Sequence, residues 1–246
     1  MRHLDQHFFI DTSIVAAMVK TAAIKKEDTI LEIGPGKGAI TKQILHETKR
    51  IIAIELDTSL SHHIKELPVK ILYGDALKLL STLHFTKLIS NLPYSLAEPL
   101  FKILPFLPAE RFVLLIGKKF YDSLQDNTPR AMTLSLFFTL KKILDVPRQS
   151  FSPQPRTDAA IILLEKRKSD FSPQEMLLRS LLLQQDKKVK NALQKVVQQY
   201  ANCSKKEAKE KVAHLQLAPA ILNKYLCYLS NRQFMLLYAA AQKIWV

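Results

Sequence analysis

Cysteine is almost missing from this 246-residue chain: Cys203 and Cys227 are its only two. That excludes the disulfide framework of a small secreted domain and favours an intracellular protein with reduced thiols. No apolar run approaches the ~20 residues of a membrane span, and Met1-Arg2-His3-Leu4-Asp5 lacks the charged-then-apolar order of a secretory signal. A cytoplasmic location without a membrane partner is therefore expected. Acidic residues are also scarce, 22 against 36 Lys and Arg, for a net charge of +14. The excess is lopsided. Residues 166–246 carry 15 basic and 5 acidic side chains, residues 1–165 only 21 and 17. So concentrated a positive field suits a phosphate backbone and weakens with salt; a solvated helical face is the plain alternative. An anionic membrane surface fits less well, because no segment joins this charge to an exposed Trp/Phe/Leu face.

What is present is an alternation. Thr29–Ile33, Arg50–Glu55, Val69–Tyr73, Lys87–Ser90 and Arg111–Ile116 read as short apolar strands, with helical stretches such as Ala39–Glu47 and Leu60–Glu66 between them. That spacing predicts a parallel α/β sheet. Leu134–Val146 and Ala159–Glu165 read as the last two strands. The link Phe151-Ser152-Pro153-Gln154-Pro155 between them is too short for a crossover helix, so this pair is expected to be antiparallel. After Lys168 the pattern becomes helical: Ser172-Pro173-Gln174-Glu175 and Ser204-Lys205-Lys206-Glu207 are capping-box starts, and helical periodicity runs through Arg179–Leu193 and Arg232–Ile244. A domain over residues 1–168 followed by a small basic all-helical domain over 169–246 is expected.

Glycine is scarce too, with five in all, and three of them fall within Glu32-Ile33-Gly34-Pro35-Gly36-Lys37-Gly38. This segment leaves the first strand and enters a helix, where glycine permits unusual backbone angles and close ligand approach. It departs from the G-x-G-x-x-G dinucleotide fingerprint. Glu55 ends the second strand and is placed to hold ribose hydroxyls. Asp75 follows Gly74 at the end of the third strand, in reach of an adenine. Asn91-Leu92-Pro93-Tyr94 closes the fourth: its amide and the neighbouring carbonyl can accept from an amino group, Pro93 biases Leu92 toward extended backbone, and Tyr94 offers a stacking face. An ordinary strand-to-turn boundary would also use Asn and Pro. Taken in order, the set sits where open parallel sheets bind ligands, at the carboxyl ends of their strands. An amine-directed tetrapeptide beside a nucleoside site favours a cationic methyl donor over hydride transfer, and the chain reads as an S-adenosyl-L-methionine-dependent N-methyltransferase. Adjacent His62 and His63 diverge if the segment is a helix, and no metal site is apparent.

These residues are where the chain resembles a known family, the ribosomal RNA adenine dimethyltransferases of the KsgA type, which are related to the Erm methyltransferases. Gln6-His7-Phe8-Phe9-Ile10-Asp11, Glu32 to Gly38, Ile54-Glu55-Leu56-Asp57, Gly74-Asp75-Ala76, Asn91-Leu92-Pro93-Tyr94 and Phe151-Ser152-Pro153-Gln154-Pro155 follow the family order over nearly the whole chain. The resemblance implies a Rossmann-like class I methyltransferase sheet, mostly parallel with its last strand antiparallel, and the small helical domain behind it. It implies that His7, Phe9, Gly34, Gly36, Glu55, Asp75, Ala76 and Asn91 bind the donor. Asn91, Leu92, Pro93 and Tyr94 would carry the chemistry, with Phe151 as a second stacking surface for the base. Lys187, Lys188 and Lys190, in a segment resembling a basic helical motif of the second domain, would hold RNA phosphates. The implied partner is small-subunit ribosomal RNA, within a precursor particle, and the protein is expected to act as a monomer in ribosome biogenesis.

The match departs from the pattern at Asp5, where Gly is frequent, and at Gly117-Lys118-Lys119, where Gln-Lys-Glu is usual. Arg130-Ala131-Met132-Thr133-Leu134-Ser135 keeps only part of Gly-Arg-Leu-Ser, and Ala159 replaces a Ser. These changes bear on target choice more than on chemistry. Three rival readings stand beside the first: an Erm-like large-subunit RNA methyltransferase, an RNA-binding assembly factor with little catalysis, and a DNA adenine methyltransferase. The last is disfavoured because those enzymes use Asp-Pro-Pro-Tyr at this point.

Overall fold

The computed structural model describes residues 6–126 and 128–245, so Asp5 and the residues before it lie outside the described part. The chain divides into two compact units, Met1–Asp126 with Phe138–Lys166, and Asn127–Phe137 with Arg167–Val246. The division at Lys168 read from sequence differs from this in one substantial respect: residues 127–137 belong with the helical unit.

Among the described residues the first unit contains nine strands: β1 Phe8–Phe9, β2 Ile30–Ile33, β3 Ile51–Glu55, β4 Lys70–Tyr73, β5 Lys87–Asn91, β6 Arg111–Gly117, β7 Phe138–Val146, β8 Phe151–Ser152 and β9 Ala159–Lys166. Seven form one sheet in the order β4-β3-β2-β5-β6-β9-β7. The first five run parallel, while β9 is antiparallel to both β6 and β7, as the short Pro-rich link requires. The order reverses between β2 and β5, so the carboxyl ends of those two strands open a crevice there. All four residues of β2 are buried, as are the last six of β6, the mark of strands covered on both faces. On one face, Ile89, Val113, Leu115, Ile161 and Leu163 pack with Ile14, Val15, Met18, Val19 and Ala22 of the helix Thr12–Ala22. Strand alternation turns Leu88, Phe112, Leu114, Ile162 and Leu164 to the other face.

The two remaining strands were not legible as such. β1 pairs antiparallel with β8, aligning Phe9 with Phe151 and Phe8 with Ser152. This clamps the N-terminal arm to the Phe151–Pro155 link, 142 residues away in sequence between Phe9 and Phe151.

Several segments depart from their sequence reading. Leu134–Val146 is strand only from Phe138; Leu134–Phe137 completes the helix Pro129–Phe137. The physical reason lies in the second unit, where Arg179 donates to the Leu136 carbonyl and lies over the rings of Phe137 and Phe171 at 4.7 and 4.0 Å. Such packing overrides β-propensity. Thr58–His63 is a 3₁₀ helix, and the His62 and His63 rings lie 3.9 Å apart instead of diverging. Arg179–Leu193 is not one helix but the end of Pro173–Leu182 and the start of Val189–Tyr200. Both expected capping boxes form, and a third joins Ser230 to Gln233.

Candidate active site

An open cleft of about 280 Å³ lies at the carboxyl ends of β2, β3, β4 and β5. His7, Phe9, Gly34, Gly36, Glu55, Asp75, Ala76, Asn91, Leu92, Pro93, Tyr94 and Phe151 all line it. Residues spread over 145 positions are thus brought to one wall. Lys187, Lys188 and Lys190 lie in the second unit, ahead of and inside the helix Val189–Tyr200. Lys187 and Lys188 precede the helix, so the segment is only partly the basic helical motif expected of it.

The glycine loop explains its own composition. Gly34, Gly36 and Gly38 have φ of 67°, 55° and 78°, in the left-handed region that side chains disfavour. A Cβ on Gly36 would stand 2.9 Å from Cε1 of Phe8, so the arm can cover the loop only because the position is bare. The loop amides are partly committed: Gly36 N–H donates to Glu55 Oε2 at 3.1 Å, and Asp57 N–H to Glu55 Oε1 at 2.9 Å. Glu55 is 5% exposed, and these bonds fix its carboxylate beside the loop. Asp75 caps the short helix Ala76–Leu79, accepting from Leu77 N–H at 2.9 Å through Oδ1.

Most residues of the N-terminal motif acquire a task, Ile10 being exposed. Gln6 donates to Asp57 at 2.8 Å, Phe8 packs on Gly36 beneath Lys37, whose Nζ lies 4.7 Å from the ring centroid, and Asp11 caps the helix Thr12–Ala22. The His7 ring nitrogen Nδ1 meets the Pro153 carbonyl at 2.8 Å, while the His7 carbonyl accepts from Asn91 Nδ2 at 2.9 Å. A carbonyl only accepts, so this bond settles which way the Asn91 amide faces and leaves Oδ1 as the acceptor. Leu92 N–H donates to the Leu115 carbonyl at 3.1 Å, holding the tetrapeptide against β6.

Tyr94 stands beside His7, ring centroids 5.9 Å apart, with its hydroxyl 3.3 Å from the Thr157 carbonyl. Gly117 lies under it: a Cβ there would come within 3.3 Å of Tyr94 Cε1, so the departure from the family pattern at this position clears space for the ring. Phe151 is 2% exposed and packs on Phe9 with centroids 5.1 Å apart. Its ring packs into the core against Phe9 and the helix Thr12–Ala22, leaving little of it exposed in the cleft that it lines. Ala159 is fully buried opposite Gly117 and Val146, whereas Lys119 is exposed.

Glu32 was not given a role of its own in the sequence reading. Its carboxyl lines the cleft at 1% exposure; Oε2 accepts from Thr41 Oγ1 at 2.6 Å, and Oε1 has no hydrogen-bond partner among the described residues. Burial pushes its pKa up to about 8, against the pull of the Thr41 hydroxyl and with help from the nearby Glu55 charge. The sign of the linkage follows. The folded chain keeps a proton that the unfolded chain releases above its ordinary pKa of 4.5, so stability falls between about pH 4.5 and 8 and levels off beyond. Replacing Glu32 by Gln is expected to remove that slope and to raise stability above pH 8 by an amount on the order of a few kcal/mol. Urea melts of both proteins at pH 5 and pH 8.5 check it; parallel pH profiles would show that Glu32 is not the titrating group.

The donor set fits a nucleoside carrying a positive charge. Two acids, Glu55 and Asp75, stand at the ends of adjacent strands, and bare glycine backbone allows close approach. Comparison with known proteins agrees with that chemistry. Residues 1–223 match the family described as ribosomal RNA adenine dimethylase. A ribosomal RNA small subunit methyltransferase A from Malacoplasma penetrans is 34% identical over 196 residues, 74% of this chain and 72% of that protein. A probable ribosomal RNA small subunit methyltransferase A from Methanopyrus kandleri is 31% identical over 215 residues, 78% of this chain and 75% of that one. Among solved structures, a dimethyladenosine transferase from Plasmodium falciparum matches 98% of this chain and 99% of its own with a TM-score of 0.65 at 24% identity. The 23S rRNA methyltransferase ErmE matches 96% of this chain and all of its own (100%), with a TM-score of 0.60 at 17% identity. At such identities these two structures speak for the fold, a class I methyltransferase sheet and a C-terminal helical region.

Proposed function

The chain belongs to the ribosomal RNA adenine dimethylase family, and from that premise we propose that it uses S-adenosyl-L-methionine to dimethylate N6 of adenosines in small-subunit ribosomal RNA. The observation that carries the reading at the level of the site is the Asn91 amide, ordered by the His7 carbonyl so that an acceptor remains beside the cleft.

When bound, S-adenosyl-L-methionine supplies an electrophilic methyl carbon on a sulfonium. Glu55, Asp75, Ala76, Gly34, Gly36 and Asn91, with His7 and Phe9 of the arm, are the residues assigned to hold it. An adenine amine is a weak nucleophile because its lone pair is delocalised into the ring. Asn91 Oδ1 and the Leu92 carbonyl accept from that amine and stabilise it as positive charge develops, a gain confined to the transition state. Tyr94 supplies the stacking face for a base taken out of its helix. Pro93, with φ of −52° and ψ of 134°, holds the turn between the two. Positioning does most of the remaining work. No general base is assigned, since the methylated amine is acidic enough to lose its proton to water.

Lys187, Lys188 and Lys190 are assigned to phosphates of the RNA, and a precursor particle is the proposed substrate for a monomer of this protein in the cytoplasm. The small-subunit target is preferred to an Erm-like one because the relatives above 30% identity carry that name, whereas the resemblance to ErmE is one of fold. The test is mass spectrometry of nuclease-digested RNA after incubation with labelled donor. N6,N6-dimethyladenosine in small-subunit RNA is the expected product. Label confined to large-subunit RNA, or none in any RNA while donor binds, would overturn the proposal in favour of the Erm-like or assembly-factor reading.

A further inference from the structure

Tyr225 and Tyr228 stand out in the second unit because nothing about its packing calls for them on the surface. Tyr228 is 72% and Tyr225 43% exposed, with ring centroids 6.2 Å apart and planes at 81°. Between them Leu226, at 7% exposure, anchors the turn, and Tyr228 N–H donates to the Tyr225 carbonyl at 3.0 Å. The two rings are therefore displayed from a fixed backbone.

What lies beside them is positive. Val189 N–H donates to the Lys224 carbonyl at 2.8 Å and Leu226 N–H to the Lys187 carbonyl at 3.1 Å, making an antiparallel bridge between Lys188 and Tyr225. Bonds on either side of the bridged pair make it a non-hydrogen-bonded pair, the kind in which two side chains emerge closest together on one face. Lys188, Lys190 and Lys224 are exposed. Asp186 is the only acid between Glu175 and Glu207, and none follows Glu210.

We propose that Tyr225 and Tyr228, with Lys188 beside them, form a platform that binds an unpaired ribonucleotide, a ring taking the base and the lysine its phosphate. The proposal rests on the reading that this chain acts on ribosomal RNA and adds to it a second contact with single-stranded RNA, outside the cleft. Aromatic faces accept any base by stacking, and interleaved cations follow the backbone. Paired bases present no free face, so the platform selects single strands over duplex.

The experiment uses the full chain and two fluorescein-labelled oligoribonucleotides of equal length, one an unstructured adenine–uridine strand and one a self-complementary strand annealed to a blunt duplex, titrated by anisotropy at several salt concentrations. Tyr228→Ala is expected to weaken single-strand binding by roughly fivefold to a hundredfold, the range for truncating a base-stacking aromatic, with duplex affinity and salt slope unchanged. Tyr228→Phe, which keeps the ring, is expected to bind as wild type. Lys188→Gln is expected to weaken both ligands and to reduce the salt slope by about one contact. Unchanged single-strand affinity in Tyr228→Ala, or equal loss for strand and duplex, would overturn the platform. Failure of methyl transfer with these binding results intact would count against the proposed function and leave the platform standing.

Discussion

Replacing Asn91 by alanine is expected to slow methyl transfer by about 10²–10³-fold, the usual cost of one preorganised contact to developing charge, while donor affinity changes far less. The structure makes this more than a motif assignment. Asn91 is the last residue of β5, in register with Leu115 of β6, so its backbone is held by the sheet. Its Nδ2 is held by the His7 carbonyl at 2.9 Å. Both halves of the amide are then needed, one to donate to the arm and one to accept from the amine. Asn91→Asp tests this directly: it keeps an acceptor but cannot donate to His7, and is expected to be nearly as slow as alanine. Single-turnover rates with saturating donor, alongside calorimetric donor titrations, separate transfer from binding. An alanine variant as fast as wild type would remove Asn91 from the chemistry.

Gly36→Val is expected to cost most of the donor affinity. A β-branched residue at φ of 55° is strained by ~1–2 kcal/mol, and its Cβ would stand 2.9 Å from the Phe8 ring. Either the loop or the arm must shift. The loop carries the Gly36 N–H that orients Glu55, and the arm carries the His7 carbonyl that orients Asn91. Relief in either direction therefore disturbs the site, and a loss of donor affinity of tenfold or more is expected, equal to ~1.4 kcal/mol. Calorimetry reads the affinity, and circular dichroism melts check that the fold persists. A companion substitution, Phe8→Ala with Gly36→Val, removes the clash but not the strain; partial recovery of affinity in the double variant is expected. Unchanged affinity in Gly36→Val alone would show that the arm does not cover the loop in solution.

Much of this molecule could be read from local pattern. The strands β2, β3, β5, β6 and β9 are largely apolar runs because both faces are covered, and such runs are visible in any window of five to seven residues; β4, at the sheet edge, has no buried residue. Gly34, Glu55, Asp75 and Asn91 were legible for a related reason: in a parallel sheet the ends of successive strands share one edge, so order along the chain becomes proximity in space. The capping boxes at Ser172 and Ser204 depend on residues three apart and were equally plain. Leu134–Phe137 was misread because its helix is decided by Arg179, more than 40 positions away.

Strand positions in the main sheet, the carboxyl-edge site and the charge imbalance are local, since each follows from spacing or composition within short segments. Tertiary structure alone decided the rest. Pairing of Phe8–Phe9 with Phe151–Ser152 places the arm over the glycine loop, orients the Asn91 amide and buries the Phe151 ring. The bridge between Lys188 and Tyr225 pairs the backbone of an exposed lysine with that of an exposed tyrosine. These are contacts between residues far apart in the chain, and no local preference encodes which distant backbone a two-residue strand will meet.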